Sequence, residues 1–203
     1  MEILPIEHPR ALERSLAIVN RERTIIFPTD TVYGLGAAAF SQRGINYLYE
    51  IKGRSQEKAI AILIGNLDQL PAIVMDLPPS AEKLTRKFWP GALTLVVNKN
   101  PDLPENLSPL PTIGIRMPRH EFALLLLRLC GPLATTSANL SGKPEGKSVI
   151  DVMDQLGDRS DLILDGGSPS GGIPSTVVDC TSSPIKILRK GTISEEEIFT
   201  EIG

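Results

Sequence analysis

The stretch DLILDGGSPSGGIPSTVVDCTSSPIKILR, residues 161–189, decides which fold this chain can adopt. It holds three extended runs: DLILD (161–165), STVVDC (175–180) and IKILR (185–189). Each is rich in aliphatic and β-branched residues and is bounded by Gly, Pro or Ser. The gaps, 166–174 and 181–184, are too short for the crossover helix that parallel neighbours require. Part of the sheet is therefore expected to be antiparallel.

Upstream, the pattern alternates. TIIF (24–27), IAILI (60–64), ALTLVV (92–97) and TIGIRM (112–117) read as strands. Helices are expected over 9–22, where Leu12, Leu16 and Val19 share a face, and over 42–51, 66–75, 79–88, 121–130 and 148–156. Gly131-Pro132 stops the fifth of these. Ser194 followed by Glu195, Glu196 and Glu197 predicts an N-capped terminal helix. Helices interspersed with strands indicate an α/β fold: one twisted mixed sheet with helices around it. There is no internal repeat or low-complexity tract, and 203 residues suit a single domain over 1–203.

Composition narrows the function. The net charge is −3, and aromatic residues make up 4% of the chain. Both argue against sequence-independent nucleic-acid binding, which needs a basic field and stacking platforms, although a local basic cleft stays open. Cys130 and Cys180 have no metal-like or CxxC spacing and read as buried reduced thiols. No leader pattern opens the chain and no run of 18 apolar residues occurs, so a soluble cytoplasmic protein without membrane contact is expected. The only histidines are His8 and His120, and no GxSxG surrounds Ser137. A Ser-His-Asp hydrolase and a His-based metal centre are disfavoured, and no metal ligands are assigned. Gly142-Lys143 is followed by Pro144, so no Walker loop is present.

Four segments, each read as a loop after a strand-like run, carry groups that bind anions. PTDTVYGLG (28–36) places Thr29, Asp30 and Thr31 past a buried strand, with Gly34 and Gly36 permitting close backbone approach; a self-capped turn is the plainer reading. KGRSQEK (52–58) clusters Lys52, Arg54 and Lys58, either to complement a helix end or to clamp phosphate. In TIGIRMPRH (112–120), Arg116 shares a strand face with Gly114 and Thr112. That face meets solvent, or it lines a cleft in which Gly114 leaves room and Arg116 takes a carboxylate. ATTSANLSG (134–142) offers Thr135, Thr136, Ser137, Asn139 and Ser141 without a charge. It satisfies its own backbone, or it hydrogen-bonds an anion without adding repulsion.

In combination these segments are specific. PTDTVYGLG, KGR and SANLSG, in that order, with FWPGALTLVV (88–97), TIGIRMP (112–118) and STVVD…ILRKG (175–191), closely resemble the YrdC/Sua5 family over roughly residues 10–192. These are threonylcarbamoyl-AMP synthases, and the chain resembles the short, TsaC type. The paired K-x-R and S-x-N pattern is intact as Lys52, Arg54, Ser137 and Asn139. The resemblance implies a YrdC-like fold with a positively charged concave face. It implies synthesis of L-threonylcarbamoyladenylate and pyrophosphate from L-threonine, bicarbonate (or CO₂) and ATP, with Mg²⁺ arriving on the ATP. The product would pass to a partner threonylcarbamoyl transferase complex for t6A37 formation in tRNA, and some affinity for tRNA itself stays open. Carried over residue by residue, Lys52, Arg54, Ser137 and Asn139 are catalytic. Arg54, Lys58, Thr112, Ser137 and Arg189 contact ATP, and Thr31, Arg116, Thr135 and Ser175 contact threonine. Ser55 and KAIAI (58–62) stand where many members have prolines, Leu63 where some have a histidine, and Glu145 where many have a small polar residue. The rival readings are a non-catalytic RNA-binding module of this fold and a paralogue with another substrate.

Overall fold

The computed structural model describes residues 1–169 and 171–203. In chain order the elements are β1 (Glu2–Pro5), α1 (Ala11–Val19), β2 (Ile25–Phe27), β3 (Gly34–Ala38), α2 (Gln42–Lys52), β4 (Ala61–Leu63), a 3₁₀ turn (Leu67–Ala72) and α3 (Pro79–Phe88). Then follow β5 (Leu93–Asn98), a second 3₁₀ turn (Glu105–Leu107), β6 (Thr112–Arg116), α4 (Glu121–Cys130) and β7 (Leu133–Ser137). The chain closes with α5 (Val149–Leu156), β8 (Leu162–Asp165), β9 (Thr176–Asp179), β10 (Lys186–Arg189) and α6 (Glu195–Ile202).

All ten strands join one mixed sheet in the order β1-β8-β2-β3-β7-β4-β6-β5-β9-β10. β9 and β10 pair antiparallel, as their short connection requires, whereas β8 lies parallel between β1 and β2. The α/β class and the mixed sheet are as the sequence indicates. Side-chain alternation divides the core: Ile25 and Phe27 of β2 pack in the cluster that holds α1 and α4, while Ile26 packs in the one that holds α2, α3, α5 and α6. The helix ends have local causes. Ser41 Oγ accepts from Gly44 N at the start of α2, and Gly53, with φ 58°, ends it in the left-handed conformation that glycine tolerates. Ser194 and Glu197 form a reciprocal capping box on α6.

Three expectations need correction. GLG and ATTS, read as loops, are interior strands: Gly34 to Ser137 and Ala38 to Leu133 are the ends of an antiparallel β3–β7 ladder. Their small residues leave room for neighbours, since a Cβ at Gly34 would stand 2.9 Å from Thr135 Cγ2, and one at Gly36 2.9 Å from Phe27 Cε1. The segment 66–75 forms a 3₁₀ turn over Leu67–Ala72 because Pro71 inside it cannot continue an α-helix. Cys180 is buried but Cys130 is only half-buried; both are unpaired, and burial pushes each thiol up to about 11.

The connection from β8 to β9 reveals the shape. The two strands are second and ninth in the sheet. Laid flat, seven strand spacings would separate them by about 34 Å. Asp165 to Thr176 spans about 36–40 Å only if fully extended. This connection is not extended: Gly167 and Gly172 have φ of 73° and 60°. It also touches the β2–β3 connection, where Gly172 N donates to Thr31 O at 2.9 Å. The sheet is therefore strongly coiled, and the described residues 171–175 lie against the β2–β3 connection and the cavity. Among the described residues, no helix is long and apolar enough to cross a membrane.

Candidate functional site

The coiled sheet encloses an open cavity of about 320 Å³. Alternation along three strands supplies much of its wall: Thr94 and Val96 on β5, Gly114 and Arg116 on β6, Thr135 and Ser137 on β7. A Cβ at Gly114 would stand 3.2 Å from Thr94 Cγ2 and 3.5 Å from Ala61 Cβ. Three guanidinium groups reach the cavity, from Arg54, Arg116 and Arg189, against one lining carboxylate, Glu145. Burial pushes all three arginines below their ordinary values. Burial disfavours their charge, so an incoming anion would relieve that cost. A chain of net charge −3 thus contains a cationic hollow.

Arg116 is the most enclosed of the three, at 6% exposure. Its Nε donates to Gly91 O at 2.9 Å, one terminal nitrogen to Thr31 Oγ1 at 2.8 Å, and the other to Asp30 Oδ1. The curvature brings these groups together, because β6 lies four strands from β2 in the sheet order. Arg189 Nε donates to Ser175 O at 3.0 Å and its terminal nitrogen to Ser175 Oγ at 3.1 Å. Ser175 Oγ lies 2.7 Å from Thr94 Oγ1. Arg54, just beyond α2, is held by its own loop: a terminal nitrogen donates to Ala59 O at 2.9 Å and Nε to Lys58 O at 3.3 Å.

Lys52 stands behind the wall. It is 2% exposed, and its ammonium donates to Ser137 O, to Asn139 O at 2.6 Å and to Asn139 Oδ1 at 3.1 Å. Burial, helped by the neighbouring Arg54 charge, pushes it down to about 8, while Glu145 works the other way. The three acceptor oxygens also favour the ammonium. Asn139 is turned into its own loop, with Nδ2 donating to Leu140 O and to Lys143 O at 2.6 Å, and Oδ1 accepting from Ser137 Oγ at 2.5 Å. Lys52 and Asn139 therefore shape the turn that presents Ser137 to the cavity.

Of the residues singled out in the sequence, Thr31, Arg54, Arg116, Thr135, Ser137, Ser175 and Arg189 line one cavity. Lys52 and Asn139 support it from behind, and Lys58 and Thr112 lie outside the lining, with Lys58 exposed. The sequence reading gave no role to Asp30 or Thr94. Asp30 carried a usable signal, a lone carboxylate between two threonines just past a buried strand. Among the described residues, no three His, Cys, Asp or Glu gather into a metal cage.

Residues 17–191 match the model of the Sua5/YciO/YrdC family, described as telomere recombination. Over 187 residues the chain is 40% identical to a threonylcarbamoyl-AMP synthase of Pyrococcus abyssi, a match covering 91% of this chain and 55% of that protein. Over 200 residues it is 36% identical to a putative threonylcarbamoyl-AMP synthase of Mycobacterium tuberculosis, covering 98% of this chain and 92% of that one. The crystal structure of Pyrococcus abyssi Sua5 complexed with L-threonine superposes with a TM-score of 0.93 at 37% identity, covering all of this chain and 60% of that one. The chain thus spans little more than half of the Pyrococcus protein.

Proposed function

The chain belongs to the Sua5/YciO/YrdC family, and from that premise we propose that it forms L-threonylcarbamoyl-AMP and pyrophosphate from L-threonine, bicarbonate (or CO₂) and ATP. The carrying observation is the convergence of three burial-destabilised guanidinium groups with uncharged hydroxyls in one hollow. Both reacting partners are anions. The threonine amine adds to the carbon of CO₂ and gives up one N–H proton to water, forming a carbamate. A carbamate oxygen then attacks the α-phosphorus of ATP, and the bond to the β-phosphate oxygen breaks, releasing pyrophosphate. Such a reaction needs charge neutralisation and alignment more than a protein base.

In this reading Arg116 receives the amino-acid carboxylate, with the hydroxyls of Thr31, Thr135 and Ser175 around it. Arg54, Ser137 and Arg189 face the nucleotide, and Lys52 and Asn139 fix the turn bearing Ser137. Lys58 and Thr112, outside the cavity lining, are further nucleotide contacts in this reading. The residue set fits a Mg²⁺ that arrives on the ATP, because among the described residues Glu145 alone brings a carboxylate to the lining and phosphate and water oxygens would complete its shell. When bound, the ion neutralises phosphate charge. The product is labile, which favours direct delivery to a threonylcarbamoyl transferase partner, with tRNA touching this chain weakly and at low salt. The test is ATP-dependent pyrophosphate release by the pure folded protein. Release that requires both L-threonine and bicarbonate supports the proposal; none, with both supplied, refutes it.

A further inference from the structure

Neither bidentate edge of the Arg116 guanidinium is free. The guanidinium plane has two edges on which a bidentate partner can sit. One is closed by Gly91 O on Nε, and the other is taken by Thr31 Oγ1 and the Asp30 carboxylate. The pair is enclosed, with side-chain exposures of 7% for Arg116 and 13% for Asp30. Yet Arg116 lines the cavity, and Asp30, between Thr29 and Thr31, is not itself in the lining. The geometry points to Asp30 as a built-in stand-in for the substrate carboxylate: it holds the Nη1–Nη2 edge of Arg116, and an amino acid that binds this fork with both carboxylate oxygens must displace it. This rests on the reading that Arg116 receives the amino-acid carboxylate.

The stand-in answers a physical need. A guanidinium this buried without a counter-charge would be costly, and among the described residues Asp30 is the carboxylate that pairs with it. Asp30 therefore stabilises the empty protein and lowers apparent affinity for any ligand carboxylate, in proportion to the fraction of molecules in which it holds the arginine. The same contact is displaced whatever the ligand's side chain, so the effect is uniform across amino acids. The β8–β9 connection shares in the displacement. Gly172 N donates to Thr31 O at 2.9 Å, and a Cβ on Gly171 would stand 2.5 Å from Asp30 O, so the backbone bearing Asp30 is clamped and its side chain must swing.

The test is calorimetric binding of L-threonine, L-alanine and ATP to the wild type and to Asp30→Asn. Asn keeps the size of Asp and removes the charge. The expected result is tighter binding of both amino acids by one common factor, on the order of tenfold for a site closed in about nine molecules of ten, with ATP affinity unchanged. Weaker threonine binding in the variant overturns the inference, since Asp30 would then be holding the ligand, for instance by its ammonium. So does unchanged binding of both. A wild type that binds no threonine instead overturns the functional reading, and the inference with it. Should Asp30→Asn not fold, a structure of the wild type with threonine decides. Asp30 more than 4 Å from Arg116 supports displacement, and an intact pair beside the bound ligand overturns it.

Discussion

Lys52→Met tests whether the buried lysine meets phosphate directly or acts through the turn behind the cavity wall. The substitution keeps an unbranched apolar stem and removes the three donors. Asn139 O then loses the donor it has among the described residues, whereas Ser137 O keeps Asn139 N at 3.0 Å and Asn139 Oδ1 keeps Ser137 Oγ. One orphaned buried acceptor costs about 1–3 kcal/mol, and two weakened ones about 1 kcal/mol each. Removing a buried ammonium offsets part of this. A net loss of about 2 kcal/mol lowers the melting temperature of a chain this size by about 4–8 °C. A turn displaced by about 1 Å costs about 100-fold in turnover. Thermal melts, ATP binding and pyrophosphate release read the three quantities. The expected pattern is a lower melting temperature, a collapse of kcat, and ATP affinity changed by less than about threefold. A variant that melts lower but turns over within tenfold of the wild type refutes a positioning role. One whose ATP affinity falls as far as its kcat assigns Lys52 to the phosphates instead.

Three further outcomes follow from particular contacts. Because Lys52 is held near 8, against an ordinary 10.5, the folded chain releases a proton between these values that the unfolded chain keeps. Stability therefore rises with pH across that window by up to about 3 kcal/mol while turnover falls as donors are lost; urea melts and rate profiles should diverge in the wild type, and Lys52→Met should show neither trend. Gly34→Ala forces a Cβ to 2.9 Å from Thr135 Cγ2 and should cost about 1–3 kcal/mol in chemical denaturation; Thr135→Ser, which lacks that methyl, should restore most of it, and an absence of rescue would locate the strain elsewhere. Tyr33 Oη donates to Gly167 O at 2.7 Å and accepts from Gly166 N at 3.1 Å. Tyr33→Phe should therefore cost about 1–3 kcal/mol and speed hydrogen exchange at Gly166 and Gly167, and unchanged exchange there would show that the β8–β9 connection is held by other contacts.

Local cause decided what the sequence could show. The helix over 121–130 and the capped helix after Ser194 rest on contacts within a few residues, so spacing alone located them. β3 and β7 hid because a strand in the middle of a coiled sheet is selected for small volume and polar inner faces rather than for β-propensity. Gly34 is small because the Thr135 methyl lies diagonally across the ladder from it, and Gly36 because of Phe27, and neither neighbour is near in sequence. The same division runs through the site. Arg116 could be singled out because a charge inside an apolar strand conflicts with its surroundings. Its partner could not, since Asp30 arrives from a connection 86 residues away that only curvature brings within reach. Lys52 shows the limit most clearly. Its charge could be read from the sequence but its direction could not, and direction separates a phosphate clamp from a post that holds Ser137 in place. Cations next to glycines therefore mark where to look for an anion site, whereas the division of labour within it depends on which charges the folded chain has already paired. Here Arg54 donates to its own loop, Arg189 to Ser175, and Arg116 is paired with Asp30.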